Sequence, residues 1–431
     1  MKNLLDIITK ISKDKNKIAF ICEDKIIKYL DILDIYKQNK IIIDTLKGKS
    51  VCIRSRQTDE FILLLSLLDG FVEKILFLPS DIDEKLIDNY YEKSSINYEV
   101  YMKDNKLSYN VLTKNKNKKN VIQTKWIIPT SGTTSTPKLI SHTLESLTRT
   151  TKSDTNIGNK FIWGLVFDIY RFSGIQVFLQ SLLSGSKLLI PTSHLNLENN
   201  LTFFIKNGCN IISATPSFFR KALMCKSINE LKLNSITLGG EIVDQHIING
   251  LKKIFPNASI RHIYASTEVG VGFSVVDGKA GFSKKYLDDG VNGIKLKVNK
   301  EGILLIKPNH TYNEYIDSGD LIKIENDRVY FLGRASGAIN VGGNKVQPEE
   351  IENILLNCNL VHSAFVYAKN NPIMGSLVCA NIVLKDNKTD KIKTKKVIIN
   401  FCKQHLENFK IPALLKIVDD IKITQSGKLK R

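Results

Sequence analysis

The chain has 431 residues, 43% hydrophobic and 24% charged, which is more than one ordinary domain accommodates and excludes global disorder. No apolar run approaches the roughly 18 residues of a membrane-spanning helix, and the opening MKNLLDIITKISKDKNK has no uninterrupted signal-peptide core, so a soluble, cytoplasmic protein without a membrane span is expected. Lys+Arg outnumber Asp+Glu by 62 to 43, a formal net charge of +19; this attracts polyanions, or equally reflects the abundance of lysine, isoleucine and asparagine along the whole chain.

In chain order, the sequence reads as a helix at 4–11, a strand at 17–22, a helix at 29–38, a buried strand at 50–53, an apolar helix at 59–68 and a strand at 74–78. Strands resume at 125–129, 185–190, 209–214, 235–238 and 259–264. This alternation predicts an α/β fold, a large body of doubly wound, mostly parallel sheets. After Gly270 come the short strands of KLKVNKEGILLI and DLIKIENDRVYFLG, with Glu-Gly and Asn-Asp at the bends, which predict a small antiparallel, barrel-like β unit. Beyond Arg334 a glycine-rich stretch, a helix opened by Pro348, two strands, a lysine-rich helix and a last strand predict a smaller α+β domain. The basic run at 114–119 reads as a solvated loop, and no segment interleaves aromatic with basic residues, so no nucleic-acid partner is expected. Seven scattered cysteines, none in a C-x-x-C pair, read as buried thiols in a reducing compartment.

Four segments carry candidate chemistry. TSGTTSTPK, residues 130–138, follows the apolar strand WIIP; its hydroxyls, glycine and lysine suit a turn that wraps phosphate oxygens. No G-K-[ST] closes it, which argues against a Walker loop. Gly239, Gly240 and Glu241 end the strand SITL, and RHIY brings Tyr264, followed by Thr267 and Glu268. Paired glycines at a strand's carboxyl end let a flat base approach the backbone. In YIDSGD and FLGR, the Asp320 carboxylate suits a grip on vicinal ribose hydroxyls, and Arg334 suits the same sugar or its phosphate. The fourth, SGKLKR, holds Lys428 in a short glycine turn near the end of the chain. Each has a plainer reading alone: a solvated loop, a turn beside a core tyrosine, a surface turn, a tail residue.

Occurring in this order, the four segments resemble the adenylate-forming superfamily of acyl-CoA synthetases, peptide-synthetase adenylation domains and luciferases, over about residues 125–431. The first 120 residues match only in general α/β character and are shorter than is usual for the family. The resemblance implies an N-terminal adenylate-forming domain over 1–334 and a mobile C-terminal lid over 335–431. It implies that Thr130, Ser131, Gly132, Thr133, Thr134 and Lys138 hold the β- and γ-phosphates of ATP, with Ser135 where a glycine is usual. Gly239, Gly240, Glu241 and Tyr264 would frame the adenine, Thr267 touch the α-phosphate, Glu268 hold Mg²⁺, and Asp320 and Arg334 hold the ribose. Ala265 replaces a family glycine. Ser336 lies where an aspartate hinge is common and Asn340 where many members carry lysine. Gly343 would line the thiol tunnel, and Lys428 would be the catalytic lysine of the first half-reaction.

The implied activity is ATP-dependent conversion of a small carboxylic acid to an acyl adenylate, with release of pyrophosphate. The acyl group then passes to the thiol of CoA or of the phosphopantetheine on an acidic acyl carrier protein. The alternatives are transfer to an amine or protein, and an amino-acid-activating ligase. The acyl pocket is expected around FDIYRFSG, with Asp168, Arg171, Ser173 and Gly174 as candidates. In amino-acid-activating relatives an aspartate in this position binds the substrate amino group. Arg171 suits a polar or acidic acyl group, or else an ion pair with Asp168 or Glu241.

Overall fold

The computed structural model describes residues 3–23, 25–79, 82–103, 106–113, 123–130, 138–149, 151, 155–191, 197–266, 270–308, 314–371, 374–386, 390–423 and 429. The basic run at 114–119 lies outside them. Two compact units emerge: Met1–Ser213 with Cys225–Ile236 and Ser266–Val271, and Ala214–Met224 with Thr237–Ala265 and Gly272–Arg431.

In the first unit a six-stranded sheet runs in the order Lys106–Val111, Tyr98–Lys103, Ser50–Ile53, Lys74–Phe77, Lys125–Pro129, Leu139–His142. Its four inner strands are parallel and the two edge strands are antiparallel returns. The strand Ser50–Ile53 and the helix Thr58–Leu68 are buried almost throughout, as apolar runs with no polar face must be. A second set of strands runs Ile211–Ala214, Ile162–Leu165, Lys187–Ile190, Ile18–Cys22, parallel, with Lys25–Lys28 folded back as a hairpin.

The helix expected at 29–38 extends over Tyr29–Leu46. Asn39, a residue that normally disfavours a helix interior, is buried there: its amide donates to the Ile35 carbonyl (2.8 Å) and accepts from Leu107 N (2.8 Å), tying helix to sheet edge. A comparable anchor sits under the strand Lys125–Pro129. Asp69 accepts from Trp126 Nε1 (2.9 Å) and from Leu4 N (2.9 Å), and burial pushes its carboxyl up to about 6. Thr124 Oγ1 donates to Val72 O (2.7 Å) and accepts from Gly70 N (2.8 Å).

In the second unit the strands Ser235–Leu238, Ser259–Ser266 and Gly270–Val275 lie side by side. The expected β unit is a five-stranded antiparallel sheet in the order Phe282–Ser283, Arg328–Arg334, Ile316–Glu325, Ile303–Lys307, Lys295–Val298. Its bends fall at Gly302 (φ 78°) and Asn326 (φ 53°), left-handed positions suited to glycine and asparagine. The C-terminal α+β part pairs Val361–Asn371 with Gly375–Leu384, adds Leu414–Ile417 in parallel, and packs Pro348–Asn357 and Lys391–His405 through Ile351, Leu355, Ile398 and Cys402. Six of the seven cysteines are buried and none is in a disulfide; burial pushes Cys22 and Cys209 up to about 12. Among the described residues no helix is long and apolar enough to cross a membrane.

Candidate functional site

The hydroxyl-rich segment connects the two strands of a hairpin in the first unit. Pro129 pairs with Leu139, and Thr130 N donates to Lys138 O at 2.9 Å, closing the connection at its base. Thr130 is half-buried and Lys138 exposed. Ser131, Gly132, Thr133, Thr134 and Ser135 lie outside the described residues. Trp126, held by Asp69, is fully buried in the strand that delivers the segment.

The expected acyl segment is also in the first unit. Asp168 is buried, accepts from Tyr170 N (3.1 Å), and forms an ion pair with Arg171, Nε to Oδ2 3.5 Å. Tyr170 in turn donates to the Ser55 carbonyl. Arg171 is the N-cap of the helix Phe172–Leu183, with Ser173 half-buried and Gly174 buried in its first turn. A Cβ on Gly174 would lie 2.2 Å from the Asp168 carbonyl oxygen. Backbone cannot swing aside as a side chain can, so Gly174→Ala is expected to destabilise the protein by about 1–3 kcal/mol. The check is the urea midpoint, and an unchanged midpoint contradicts the packing.

In the second unit the structure brings Tyr264, Asp320 and Arg334 together. Asp320 and Arg334 are direct cross-strand partners, which turns fourteen positions of sequence separation into an ion pair, Nε to Oδ1 2.8 Å. Tyr264, two residues before the end of Ser259–Ser266, donates its hydroxyl to Asp320 Oδ2 at 2.6 Å. Burial, reinforced by the Asp320 charge, pushes the phenol far above its ordinary range, so it stays protonated. Its ring lies nearly parallel to Phe273 (5.4 Å, 13°) and Phe331 (5.2 Å, 7°). Gly239 is backed by the Ile263 side chain, 2.9 Å from where a Cβ would stand, and Gly240 turns the chain at φ 80°. Ala265 is half-buried; Thr267 and Glu268 lie outside the described residues.

Glu241 has a use that the sequence reading did not assign. Its Oε2 accepts from Ser217 N (3.0 Å) and its Oε1 from Leu429 N (2.8 Å). Leu429 also bridges to Ile423; residues 424–428, with Lys428, are outside the described residues. The C-terminal part is further tied down by the ion pair Lys221–Asp420 (2.7 Å) and by His362 Nε2 donating to the Arg220 carbonyl (3.0 Å). Burial holds His362 below the ordinary imidazole range. Gly343 is exposed in a two-residue turn with Gly342, where φ is 89° and 57°, and its N–H donates to Asn340 Oδ1 (3.0 Å). Ser336 lies in the turn Ala335–Gly337.

Sequence reasoning also missed Ser318, whose carbonyl accepts from Arg334 Nη1 (2.9 Å) and whose Oγ accepts from Asp320 N (3.1 Å). The Asp-Ser-Gly spelling of a turn was its available signal. Phe273 and Phe331 carried none, since each reads as an ordinary core position.

Doubly wound parallel sheets, an antiparallel sheet presenting an Asp–Arg pair beside a tyrosine, and a C-terminal α+β part define a protein of the adenylate-forming superfamily. The chain belongs to the AMP-binding enzyme family: that family's sequence profile matches residues 80–297, and the profile of the AMP-binding enzyme C-terminal domain matches 350–428. It is 27% identical over 341 residues to the oxalate–CoA ligase of Saccharomyces cerevisiae, covering 71% of this chain and 61% of that relative. It is 27% identical over 345 residues to the D-alanine–D-alanyl carrier protein ligase of Staphylococcus aureus, covering 72% and 70%. Among solved structures, an anthranilate CoA ligase in complex with anthranoyl-AMP shares the fold at a TM-score of 0.75 and 15% identity, over 99% of this chain and 95% of that one. So does the o-succinylbenzoate CoA synthetase of Bacillus subtilis in complex with its acyl-adenylate intermediate, at 0.71 and 17%, over 100% and 97%.

Proposed function

We propose that the protein is an AMP-forming acid–thiol ligase. A carboxylate attacks the α-phosphorus of ATP, pyrophosphate leaves, and the thiol of CoA or of a carrier-protein phosphopantetheine displaces AMP from the acyl adenylate. The observation that carries this reading is the seating of the tail: Leu429 N on the Glu241 carboxylate places the neighbour of Lys428 at the Gly-Gly-Glu strand end, in the same unit as the Asp320–Arg334 pair.

The chemistry needs cations more than a base. The attacking carboxylate is already ionised at neutral pH, while the in-line transition state spreads negative charge over phosphoryl oxygens. Lys428 is the side chain proposed to meet that charge. Thr130 to Thr134 and Lys138 are assigned to the β- and γ-phosphates, Thr267 to the α-phosphate, Tyr264 and Gly239 to Glu241 to the base, and Asp320 with Arg334 to the ribose. Their donor set fits a nucleotide: a half-buried carboxylate beside an exposed guanidinium. Mg²⁺, with Glu268 as its assigned ligand, would neutralise part of the triphosphate charge. Residues 1–334 and 335–431 are assigned as body and mobile lid, so that Lys428 leaves after adenylation and Gly343 reaches the thiol channel. A cytoplasmic location fits a protein of free, mostly buried thiols.

The relatives named above divide between an acid without an amino group and an amino acid. Asp168, which an ammonium group would need, is already engaged by Arg171 and Tyr170 N, which favours acids without an α-amino group. Carboxylate-dependent exchange of labelled pyrophosphate into ATP, run over a panel of acids, tests both points. Exchange is expected with one or more non-amino acids; exchange confined to amino acids reverses the substrate reading, and none with any acid removes the activity.

A further inference from the structure

Tyr264 does more than lend a ring to the nucleotide site. Asp320 carries two oxygens with about two acceptor positions each. Arg334 Nε occupies one on Oδ1 at 2.8 Å, and the Tyr264 hydroxyl occupies one on Oδ2 at 2.6 Å. A vicinal diol brings two O–H donors, one for each oxygen of such a carboxylate. The two restraints differ in quality. Arg334 reaches Asp320 from solvent, its side chain 59% exposed, whereas the Asp320 side chain is only 13% exposed. Tyr264 reaches it from a ring packed against Phe273 and Phe331, and burial keeps its phenol protonated, so the hydroxyl has little freedom to leave. The Asp320 backbone is set separately, its N–H donating to Ser318 Oγ. Without the Tyr264 hydroxyl, Oδ2 loses its buried donor and the carboxylate rotation rests on the Arg334 contact to Oδ1.

We infer that Tyr264 is a positioning residue for ribose recognition: its hydroxyl fixes the Asp320 carboxylate plane so that both oxygens meet the 2′- and 3′-hydroxyls together. This rests on the nucleotide reading given above and adds to it a division of labour within one side chain, the ring packing and the O–H orienting. A preset carboxylate loses less freedom on binding the diol, which raises affinity for the ribose and not for the base or phosphates.

Tyr264→Phe keeps the ring and removes the hydroxyl. Calorimetric titration of the full-length protein with Mg·ATP and with Mg·2′,3′-dideoxy-ATP separates the contributions. For the variant, ATP affinity is expected to fall about tenfold, with dideoxy-ATP affinity unchanged. In an Asp320→Asn background the second substitution is expected to add nothing, since the two act as one unit. Equal weakening of both nucleotides, no weakening of either, or full additivity with Asp320→Asn overturns the assignment. Failure of the wild-type protein to bind either nucleotide overturns the nucleotide reading itself, and this inference with it.

Discussion

Lys428→Ala is expected to lower carboxylate-dependent pyrophosphate exchange by about 10²–10³-fold, the usual consequence of removing one preorganised charge-stabilising group from a largely water-free site. Thioester formation from a supplied acyl adenylate is expected to survive largely intact, because in that step the phosphoryl chemistry is over and, under the proposed lid motion, the tail would have moved away. The geometry behind this is local. Leu429 is fastened to Glu241 by its backbone amide, and Glu241 is itself held by Ser217 N, so the tail has a fixed receptor at one strand end. Rates of the two half-reactions, measured on the same folded preparation, decide the matter. Equal loss of both would falsify the two-conformation scheme while leaving a role for Lys428 in catalysis.

The second large effect is on stability and is expected at Asp69. Removing its side chain in Asp69→Ala leaves the buried Trp126 Nε1–H and Leu4 N–H without acceptors, and orphaned buried donors cost about 1–3 kcal/mol each. The loss should appear as a lower urea midpoint followed by tryptophan fluorescence, together with slower or weaker nucleotide binding because Trp126 lies in the strand that leads to the hydroxyl-rich segment. Asp69 also has a pH signature. Its folded carboxyl is raised to about 6 from 3.8, so the native state holds a proton that the unfolded chain has released between those values. The sign follows: this stability is fully present below the lower value and is lost as pH rises through the upper one. Asp69→Asn keeps an acceptor for Trp126 and cannot titrate, so its stability is expected to be flatter across that window. A wild-type curve that rises between pH 4 and 6 with a slope the Asn variant shares removes Asp69 as the source.

Where the sequence punctuates its elements sharply, the fold was legible. The helix Leu4–Ile11 and the strands Ser50–Ile53, Lys125–Pro129 and Ser235–Leu238 lie where composition placed them. Strands expected at 185–190 and 209–214 begin two residues later: Gly185, with a left-handed φ of 61°, spends the first position of one on a turn, and the other starts at Ile211, after the turn that ends at Gly208 (φ 69°). The helix over Tyr29–Leu46 runs past the expected 29–38 because the partner that makes Asn39 acceptable, Leu107, lies 68 positions away, beyond any local pattern. The site divides in the same manner. Asp320 and Arg334 belong to one hairpin, so a motif spelled in neighbouring strands already contained their pairing. The Tyr264 hydroxyl on Asp320 and the Leu429 amide on Glu241 join residues 56 and 188 positions apart, and no local pattern encodes such contacts.

The end of the strand Arg328–Arg334 has one more consequence. Arg334 is clamped at three points, by its ladder pairing with Asp320, by its ion pair to the same residue, and by its hydrogen bond to the Ser318 carbonyl. The next residue opens the short turn Ala335–Gly337, where a Cβ on Gly337 would meet only the Cβ of Arg334, at 3.7 Å. If the C-terminal lid swings as proposed, the fulcrum therefore cannot creep back into the sheet. Torsion would then fall on three small residues, and the Asp320–Arg334 pair proposed to hold the sugar would be the rigid mount against which that lever works.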